Sequence, residues 1–261
     1  MTNFSDLYDL QSLVAKNNRF ELFQCNNKSG EEFLYQVPTE IGDEHVDTNV
    51  FFLDKLNALS NDVQALSETV LNYNLGFPSV VDRFVEDEKS SYVLKFNGVE
   101  QISDIIPIIK LHKEGFKVDL RTSAWIMGKL LKTLSFAHAN KIEICDISAN
   151  NILIYPNMHY VIVFDWSKAE LTKITSVIAK REIKKAANVL IKAVGGDLES
   201  ARLCDADDLY ISYIEKLADN GETSAAKAHT IFYGVVDELC SIPGSVWKSG
   251  FHEFKTQKIG V

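Results

Sequence analysis

Two short apolar runs within residues 142–169 constrain the fold more than any other part of the sequence. Residues 151–155 and 160–164 each have the length of a β-strand, and the turn-forming pair Pro156-Asn157 lies between them. Apolar runs of this length on either side of a turn signal are typical of a β-hairpin. We therefore predict two antiparallel strands here, with their open ends side by side.

Three polar residues stand at the open end of this predicted hairpin. Asn151 begins the first strand, Asp165 closes the second, and Asp146 precedes the hairpin. An amide and a carboxylate offer oxygen ligands that suit Mg²⁺, and a further carboxylate can orient a hydroxyl group for phosphoryl transfer from ATP. Each residue also has a purely structural interpretation: Asp146 as a loop cap, Asn151 as a turn residue and Asp165 as a helix N-cap. Their conjunction with a hairpin of this length favours the phosphoryl-transfer interpretation.

The spacing of these residues resembles that of the protein-kinase-like superfamily. There a catalytic loop H-R-D-x-x-x-x-N is followed by D-F-G. Here Asp146 and Asn151 keep the internal spacing of the loop, and Asp165-Trp166-Ser167 stands where D-F-G is expected. The Asp-Trp pair is more similar to aminoglycoside and choline kinases, and to small bacterial and phage kinase-like proteins, than to eukaryotic protein kinases.

The resemblance implies an α+β, two-lobed fold in a single domain over residues 1–261. Residues 1–97 would form a small antiparallel β N-lobe with one long helix. Residues 98–261 would form a mainly helical C-lobe with a shortened activation segment.

The resemblance also implies an ATP- and Mg²⁺-dependent phosphotransferase. Its acceptor would be a hydroxyl group on a protein or a small molecule, as for a serine/threonine kinase. In that role Asp146 would orient or deprotonate the acceptor hydroxyl, while Asn151 and Asp165 would bind the metal ion.

The N-terminal part of the sequence departs from this pattern in two places. No G-x-G-x-x-G loop occurs there, so no glycine-rich backbone is expected to cover the phosphates. Gln36 stands where the third strand should carry a lysine, and an amide supplies hydrogen bonds but no positive charge. We assign Gln36 to cofactor binding together with Lys168, a cation three residues past Asp165. Lys28 and Lys95 are the other candidate cations.

The glutamate that pairs with this lysine in the superfamily has two candidate positions. Counted back from Phe77-Pro78, the position is Glu68. Counted forward from Gln36, it falls near Thr48 or Asn49. In the second case both halves of the ion pair have become uncharged together, which avoids a lone buried charge. These departures favour an alternative function, a catalytically impaired pseudokinase that acts as a nucleotide- or protein-binding scaffold.

Hydrophobic periodicity and turn residues predict the other elements. We expect a short N-terminal amphipathic helix, a hairpin with Gly30 in its turn, a further strand and two long helices. The helix covers residues 5–16, the hairpin residues 19–25 and 31–37, and the further strand residues 92–96. The two long helices cover residues 50–71 and 123–139. Glu182 begins another helix, which ends at Gly195-Gly196, and it stands where the superfamily has an acid that braces the catalytic loop. The short stretch between Asp165 and Glu182 leaves no room for the usual A-P-E activation segment.

Composition limits the classes of partner. A net charge of −9 argues against nucleic-acid binding over the whole surface, although Lys180, Arg181, Lys184 and Lys185 form a local basic run that could receive an anionic partner. The sequence has neither a long apolar span nor a signal-peptide pattern, so we expect no membrane partner and a cytoplasmic location.

The four cysteines show no metal-binding spacing. Cys145, next to Asp146, is a candidate reactive thiol, with a small buried residue as the more ordinary interpretation.

Overall fold

The computed structural model describes residues 3–66, 72–86, 88–248, 250 and 252–258. An antiparallel sheet with one long helix forms the sheet lobe, and a mainly helical part follows it. The α+β, two-lobed fold class expected from the sequence is confirmed. The elements of the sheet lobe are α1 (Phe4–Leu7), β1 (Tyr8–Lys16), β2 (Phe20–Asn27), β3 (Glu32–Pro38), α2 (Val46–Leu66), β4 (Ser79–Glu86) and β5 (Lys89–Lys95).

The helical lobe combines its helices with short strand pairs. Its elements are β6 (Ile106–Pro107), α3 (Ile108–Lys113), β7 (Phe116–Val118), α4 (Leu120–Ala139), β8 (Ile142–Glu143), β9 (Ile152–Tyr155), β10 (Tyr160–Val163), β11 (Glu170–Leu171), α5 (Ser176–Ala193), α6 (Asp208–Asn220), α7 (Ala225–Ser241) and β12 (Thr256–Lys258). The helix predicted over residues 123–139 is present and begins three residues earlier, because Asp119 caps it by accepting a hydrogen bond from the Thr122 N–H at 2.7 Å. The helix expected to begin at Glu182 begins instead at Ser176, after the N-cap Thr175.

The five-stranded sheet of the sheet lobe has two apolar faces. Its order is β1-β2-β3-β5-β4, and every neighbouring pair is antiparallel. Alternate residues of a strand point to opposite faces, so each face gathers its own cluster. One face, with Leu22, Leu34 and Leu94, belongs to a cluster that also contains residues of α2 and of the helical lobe. The other face carries a separate cluster of Phe4, Tyr8, Cys25, Phe33, Tyr35, Phe84 and Val93.

The N-terminal helix expected over residues 5–16 is wrong. Only Phe4–Leu7 is helical, and the chain continues as the edge strand β1, which pairs with β2. The three-residue spacing of Leu7, Leu10 and Leu13 is typical of a helix, but Leu7 ends α1 at 41% exposure, and Leu10 and Leu13 lie in β1 at 51% exposure each. Pairing with β2 satisfies the backbone groups along one side of this segment, and this long-range contact outweighs the local pattern.

Strands β9 and β10 form the predicted hairpin. They are antiparallel, and Ile152 lies opposite Val163. The turn ends at His159, whose φ of 54° lies in the left-handed region. Because the ladder closes at Ile152 and Val163, Asn151 and Asp165 lie one and two residues beyond it at the open end, and they are brought together.

The long helix of the sheet lobe is α2. The helix predicted over residues 50–71 is confirmed for residues 50–66, and it begins four residues earlier, at Val46. The rest of the predicted helix, including the candidate glutamate Glu68, lies outside the described residues.

One apolar cluster runs through both lobes. Leu22, Leu34 and Leu94 of the sheet belong to the same cluster as Leu153 and Val163 of the β9–β10 hairpin, and each is at most 1% exposed. Burial of this continuous surface holds the sheet against the helical lobe. In the described part of the chain, no helix combines the length and the apolar character needed to cross a membrane.

The tip of the β1–β2 hairpin is held by the segment that follows β3. The carbonyl oxygen of Arg19 accepts a hydrogen bond from the Thr39 N–H at 2.8 Å. Gly42 packs on the same carbonyl, and a β-carbon at position 42 would lie 1.8 Å from its oxygen. The backbone position of Arg19 therefore depends on a residue without a side chain at position 42.

We predict that Gly42→Ala lowers the free energy of unfolding by about 1–3 kcal/mol, because the added methyl group must displace the Arg19 carbonyl. The matched control is Gly234→Ala in α7, where nothing lies within 4 Å of the added carbon. Alanine in a helix interior is favoured over glycine by about 1 kcal/mol, so the control should be at least as stable as the wild type. Urea denaturation measures both changes, and equal stability of the two variants would contradict the close packing at Gly42.

A buried carboxylate stabilises the turn between α6 and α7. Glu222 is 8% exposed and accepts hydrogen bonds from the Thr223 N–H at 2.7 Å and from the Lys227 ammonium group at 3.0 Å. The backbone hydrogen bond, followed by the contact with Lys227, lowers the pKa of Glu222 to about 2.

This lowered pKa predicts a specific pH dependence of stability. Because the folded-state pKa is below the ordinary value of 4.5, ionised Glu222 stabilises the fold above pH 4.5, and this contribution is lost as the pH falls toward 2. Glu222→Gln should be less stable than the wild type at neutral pH, and the difference should shrink over that interval. Thermal unfolding of both proteins measures it, and a difference independent of pH would show that the charge of Glu222 does not matter.

Candidate functional site

The side chain of Asn151 forms hydrogen bonds with backbone groups of both Asp146 and Asp165. Its Nδ2 donates to the carbonyl oxygen of Asp146 at 2.9 Å and to that of Asp165 at 2.7 Å. Its Oδ1 accepts a hydrogen bond from the Asp165 N–H at 2.8 Å. The structure therefore brings Asp146, Asn151 and Asp165 together, as the hairpin predicted, with the Asn151 amide bonded to backbone groups on both sides.

The carboxylate of Asp165 is fully buried and surrounded by donors. Its Oδ2 accepts from the Asn17 Nδ2 at 2.8 Å, from the Arg19 Nε at 2.8 Å and, as an ion pair, from the Arg19 Nη2 at 2.6 Å. Its Oδ1 accepts the Ser167 N–H at 2.9 Å. Both oxygens of this predicted metal ligand are thus bonded to groups of the chain itself.

The guanidinium group of Arg19 also pairs with Asp146. Its Nη2 donates to the Asp146 Oδ2, so one cation bridges both acids of the site. The Arg19 side chain is 5% exposed, that of Asp146 21% and that of Asp165 0%. Burial by itself lowers the pKa of Arg19, but the charges and hydrogen bonds of Asp165 and Asp146 outweigh burial and leave the pKa above its ordinary value. The guanidinium group is therefore charged and places one positive charge between the two acids.

The hairpin tip is folded so that Arg19 points into the site. The Oδ1 of Asn17 accepts hydrogen bonds from the backbone N–H groups of Arg19 and Phe20, both at 2.8 Å, which fixes a tight Asx-type turn. The same side chain then donates to Asp165 through its Nδ2. The tip of the first hairpin, where the superfamily would have its glycine-rich loop, thus carries two side chains that bind Asp165.

Sequence reasoning missed Arg19 and looked for the cation elsewhere. Lys28 and Lys95 form surface ion pairs with Asp9 and Glu31, and Lys168 is exposed. The leucine spacing of residues 5–16 predicts a helix, and this prediction conceals the β1–β2 hairpin whose tip Arg19 occupies. The available signal was an arginine at the position expected for the glycine-rich loop.

A neutral amide pair takes the place expected for the lysine and glutamate of the sheet lobe. Gln36 and Asn49 are both fully buried, and the Asn49 Nδ2 donates to the Gln36 Oε1 at 2.9 Å. The Asn49 Oδ1 accepts the Trp166 N–H at 2.7 Å. Of the two counts made on the sequence, this geometry agrees with the one that reaches Asn49. The Gln36 Nε2 is buried and has no hydrogen-bond partner among the described residues.

Glu182 braces the segment that precedes Asp146. It is fully buried, its Oε1 accepts the Cys145 N–H at 2.6 Å, and its Oε2 lies 2.7 Å from the His138 Nε2. This is the bracing contact that the resemblance implied for Glu182.

Cys145 has a left-handed φ of 63°, and burial, together with nearby acids, raises the pKa of its thiol to about 12. A thiol with that pKa is protonated at neutral pH, which disfavours the reactive-thiol interpretation.

The basic run beside the site is partly engaged in structural contacts. Arg181 pairs with Glu143, and the Lys185 ammonium group donates to the Cys145 carbonyl oxygen at 2.7 Å. Lys184 is half-buried, and Lys180 is exposed. The four cations predicted as one patch therefore differ in how much of their charge faces solvent.

No protein-family model and no curated protein sequence matches the chain. Among solved structures, the chain is similar to that of vaccinia related kinase 3, with a TM-score of 0.61 and 16% sequence identity. The match covers 94% of this chain and 92% of that one. At this identity the likeness shows the fold alone, so the finer resemblance to bacterial, phage or choline-kinase-type proteins stays a prediction. The chain has the two-lobed fold of the protein kinases.

Proposed function

We propose that the chain is a kinase-fold binding module, a pseudokinase in which Arg19 takes the place of the catalytic metal ion. The observation that carries this proposal is the bridge from one guanidinium group to both Asp146 and Asp165. In a buried site these acids need a cation beside them, and Arg19 supplies it from within the chain. The protein would then act by binding a partner and would transfer no phosphoryl group.

Mg²⁺ does not fit the residues as they are arranged. An ion bound at 2.0–2.1 Å needs free oxygen ligands, whereas the Asp165 Oδ2 already accepts three nitrogen donors and the Asn151 Oδ1 accepts the Asp165 N–H. A divalent ion 4 Å from the guanidinium group would also meet a repulsion of about 8 kcal/mol at an effective dielectric constant of 20. Binding of Mg²⁺ would therefore require Arg19 to leave.

The surroundings also disfavour ATP. Gln36 offers an amide where a lysine would pair with the phosphates, and the hairpin tip has no glycine-rich backbone. Leu22, Leu34 and Leu94, on the sheet face that belongs to the apolar cluster shared with the helical lobe, are each 0% exposed. A nucleotide base between the lobes would have to displace part of this packed surface.

A second candidate is the ATP- and Mg²⁺-dependent phosphotransferase acting on a protein or small-molecule hydroxyl. The meeting of Asp146, Asn151 and Asp165 at the hairpin end favours it, because that is the trio such an enzyme requires. It needs a second conformation in which Arg19 withdraws, Asp165 and Asn151 bind the metal and Asp146 faces the acceptor. Lys168, exposed three residues past Asp165, and the buried Gln36 would then contact the phosphates.

The two candidates are separated by the response to Mg²⁺ and ATP. For the wild type we expect no transfer of labelled phosphate from ATP to itself or to general acceptor proteins, and no thermal stabilisation by Mg²⁺. Arg19→Ala should acquire stabilisation by Mg²⁺ alone, because two converging carboxylates are left without a cation; at about 100 times Kd this would reach about 2.7 kcal/mol. Thermal unfolding with and without the ion measures it.

The control for this experiment is Arg19→Ala combined with Asp165→Asn, which removes a charged ligand and should abolish the response to Mg²⁺. Labelled product from the wild type that disappears in Asp165→Ala would overturn the binding-module proposal and establish the phosphotransferase. A Mg²⁺ response of the wild type equal to that of Arg19→Ala would show that Arg19 does not occupy the metal position.

The bridge also predicts a large and coupled effect on stability. Arg19→Met should destabilise the fold by about 3–5 kcal/mol, because it leaves the buried Asp165 carboxylate unpaired. Adding Asp165→Asn should recover part of this loss, with a coupling of about 0.5–3 kcal/mol in a double-mutant cycle. The control is Lys95→Met, which removes an ion pair with Glu31 that is about half exposed and should cost less than about 1 kcal/mol. Strictly additive effects of the Arg19 and Asp165 substitutions would contradict the bridge.

A further inference from the structure

The segment from Lys168 to Lys185 has a charge opposite to that of the chain. It contains six lysine or arginine residues and only two acids, Glu170 and the buried Glu182, whereas the whole chain has a net charge of −9. A local field of this sign on an acidic protein attracts anionic groups to one place.

Among the described residues, three of these cations are exposed and have no ion-pair or hydrogen-bond partner. Lys168, Lys173 and Lys180 are exposed, whereas Arg181 and Lys185 are engaged with Glu143 and the Cys145 carbonyl. The first turn of α5 lies between Lys173 and Lys180, and the positive end of that helix adds to their attraction for anions.

Apolar side chains stand between these lysines. Leu171 is 53% exposed and Val177 is 70% exposed. Leu171 belongs to the two-residue strand β11, which pairs with β8 alone in the described part of the chain; both residues of β11 are exposed, so its other edge is unpaired and reachable by a further strand. An open strand edge beside exposed aliphatic and basic residues is the arrangement that β-augmentation uses.

We propose that Lys168, Lys173, Lys180, Leu171 and Val177 form a docking surface for an extended acidic segment of a partner protein. Aspartate or glutamate residues of the partner pair with the lysines, and one aliphatic residue packs on Leu171 and Val177. The partner backbone runs along the open edge of β11.

The composition of the segment favours a protein partner over a nucleic acid or a membrane. Residues 167–193 contain no aromatic side chain, and proteins that bind single-stranded nucleic acid generally stack bases on aromatic residues. A nucleic acid or an anionic lipid surface extends past the lysines and is repelled there by a chain of net charge −9, whereas a short acidic segment contacts the lysines alone.

This inference rests on the proposed function in one respect, since it names the partner class of the binding module. Its test is separate, because no described hydrogen bond or ion pair joins Lys173 or Lys180 to Arg19 or to the two acids that Arg19 bridges. If the lysines bind no acidic segment, the Mg²⁺ response of Arg19→Ala is unchanged. If Arg19 does not occupy the metal position, the effect of reversing the charges of Lys173 and Lys180 on peptide binding is unchanged.

The experiment measures fluorescence anisotropy of a labelled short peptide of aspartate and glutamate with one central isoleucine, titrated with the full chain. We expect saturable binding that weakens about tenfold in Lys173→Glu combined with Lys180→Glu. Replacing the isoleucine by serine should weaken binding further. The matched control reverses the same number of charges at Lys89 and Lys216, exposed on β5 and α6, and should bind the peptide like the wild type.

Three results would overturn the docking surface. The first is no saturable binding of the peptide to the wild type. The second is an equal loss in the two charge-reversal variants, which would assign the binding to net charge. The third is tighter binding of polyuridylate RNA or phosphatidylserine vesicles than of the peptide, with the same dependence on Lys173 and Lys180, which would assign the surface to a different class of partner.

Discussion

The contact of one guanidinium group with two carboxylates is the interaction on which the rest of the site depends. The β9–β10 hairpin gathers Asp146 and Asp165 at one place, and Asp165 has no access to water. Two acids in such a place repel each other unless a cation lies between them. Arg19 meets this requirement from the other lobe, so the bridge holds the hairpin tip of the sheet against the helical lobe.

The other departures in the sheet lobe agree with this arrangement. A lysine at position 36 would add a second positive charge close to the segment that Arg19 already contacts, and a glutamate at position 49 would need a buried cation of its own. Gln36 and Asn49 avoid both charges and bond to each other, and Asn49 also holds the Trp166 N–H. The Asp165-Trp166-Ser167 segment is therefore tied to the sheet lobe through Arg19, Asn17 and Asn49 together.

Local patterns in the sequence were sufficient for the hairpin, the long helices and the meeting of Asp146, Asn151 and Asp165. They failed for β1, because the spacing of its leucines fits a helix and only pairing with β2, a partner in the later sequence, decides otherwise. They also failed for Arg19, whose two partners lie 127 and 146 residues away in the chain. A contact of that separation leaves no periodic signal near either residue, so it becomes visible only once the lobes are placed against each other.

The origin of the cation has a consequence for how the site responds to its surroundings. A bound ion exchanges with solution, so its occupancy follows the free concentration and can be stripped by a chelator. A side chain on a short turn is present at a fixed effective concentration that dilution does not change. The positive charge between these two acids is thus a covalent part of the polypeptide. How long it stays between them depends on the torsional freedom of the turn that carries Arg19, which is anchored through Asn17, Thr39 and Gly42.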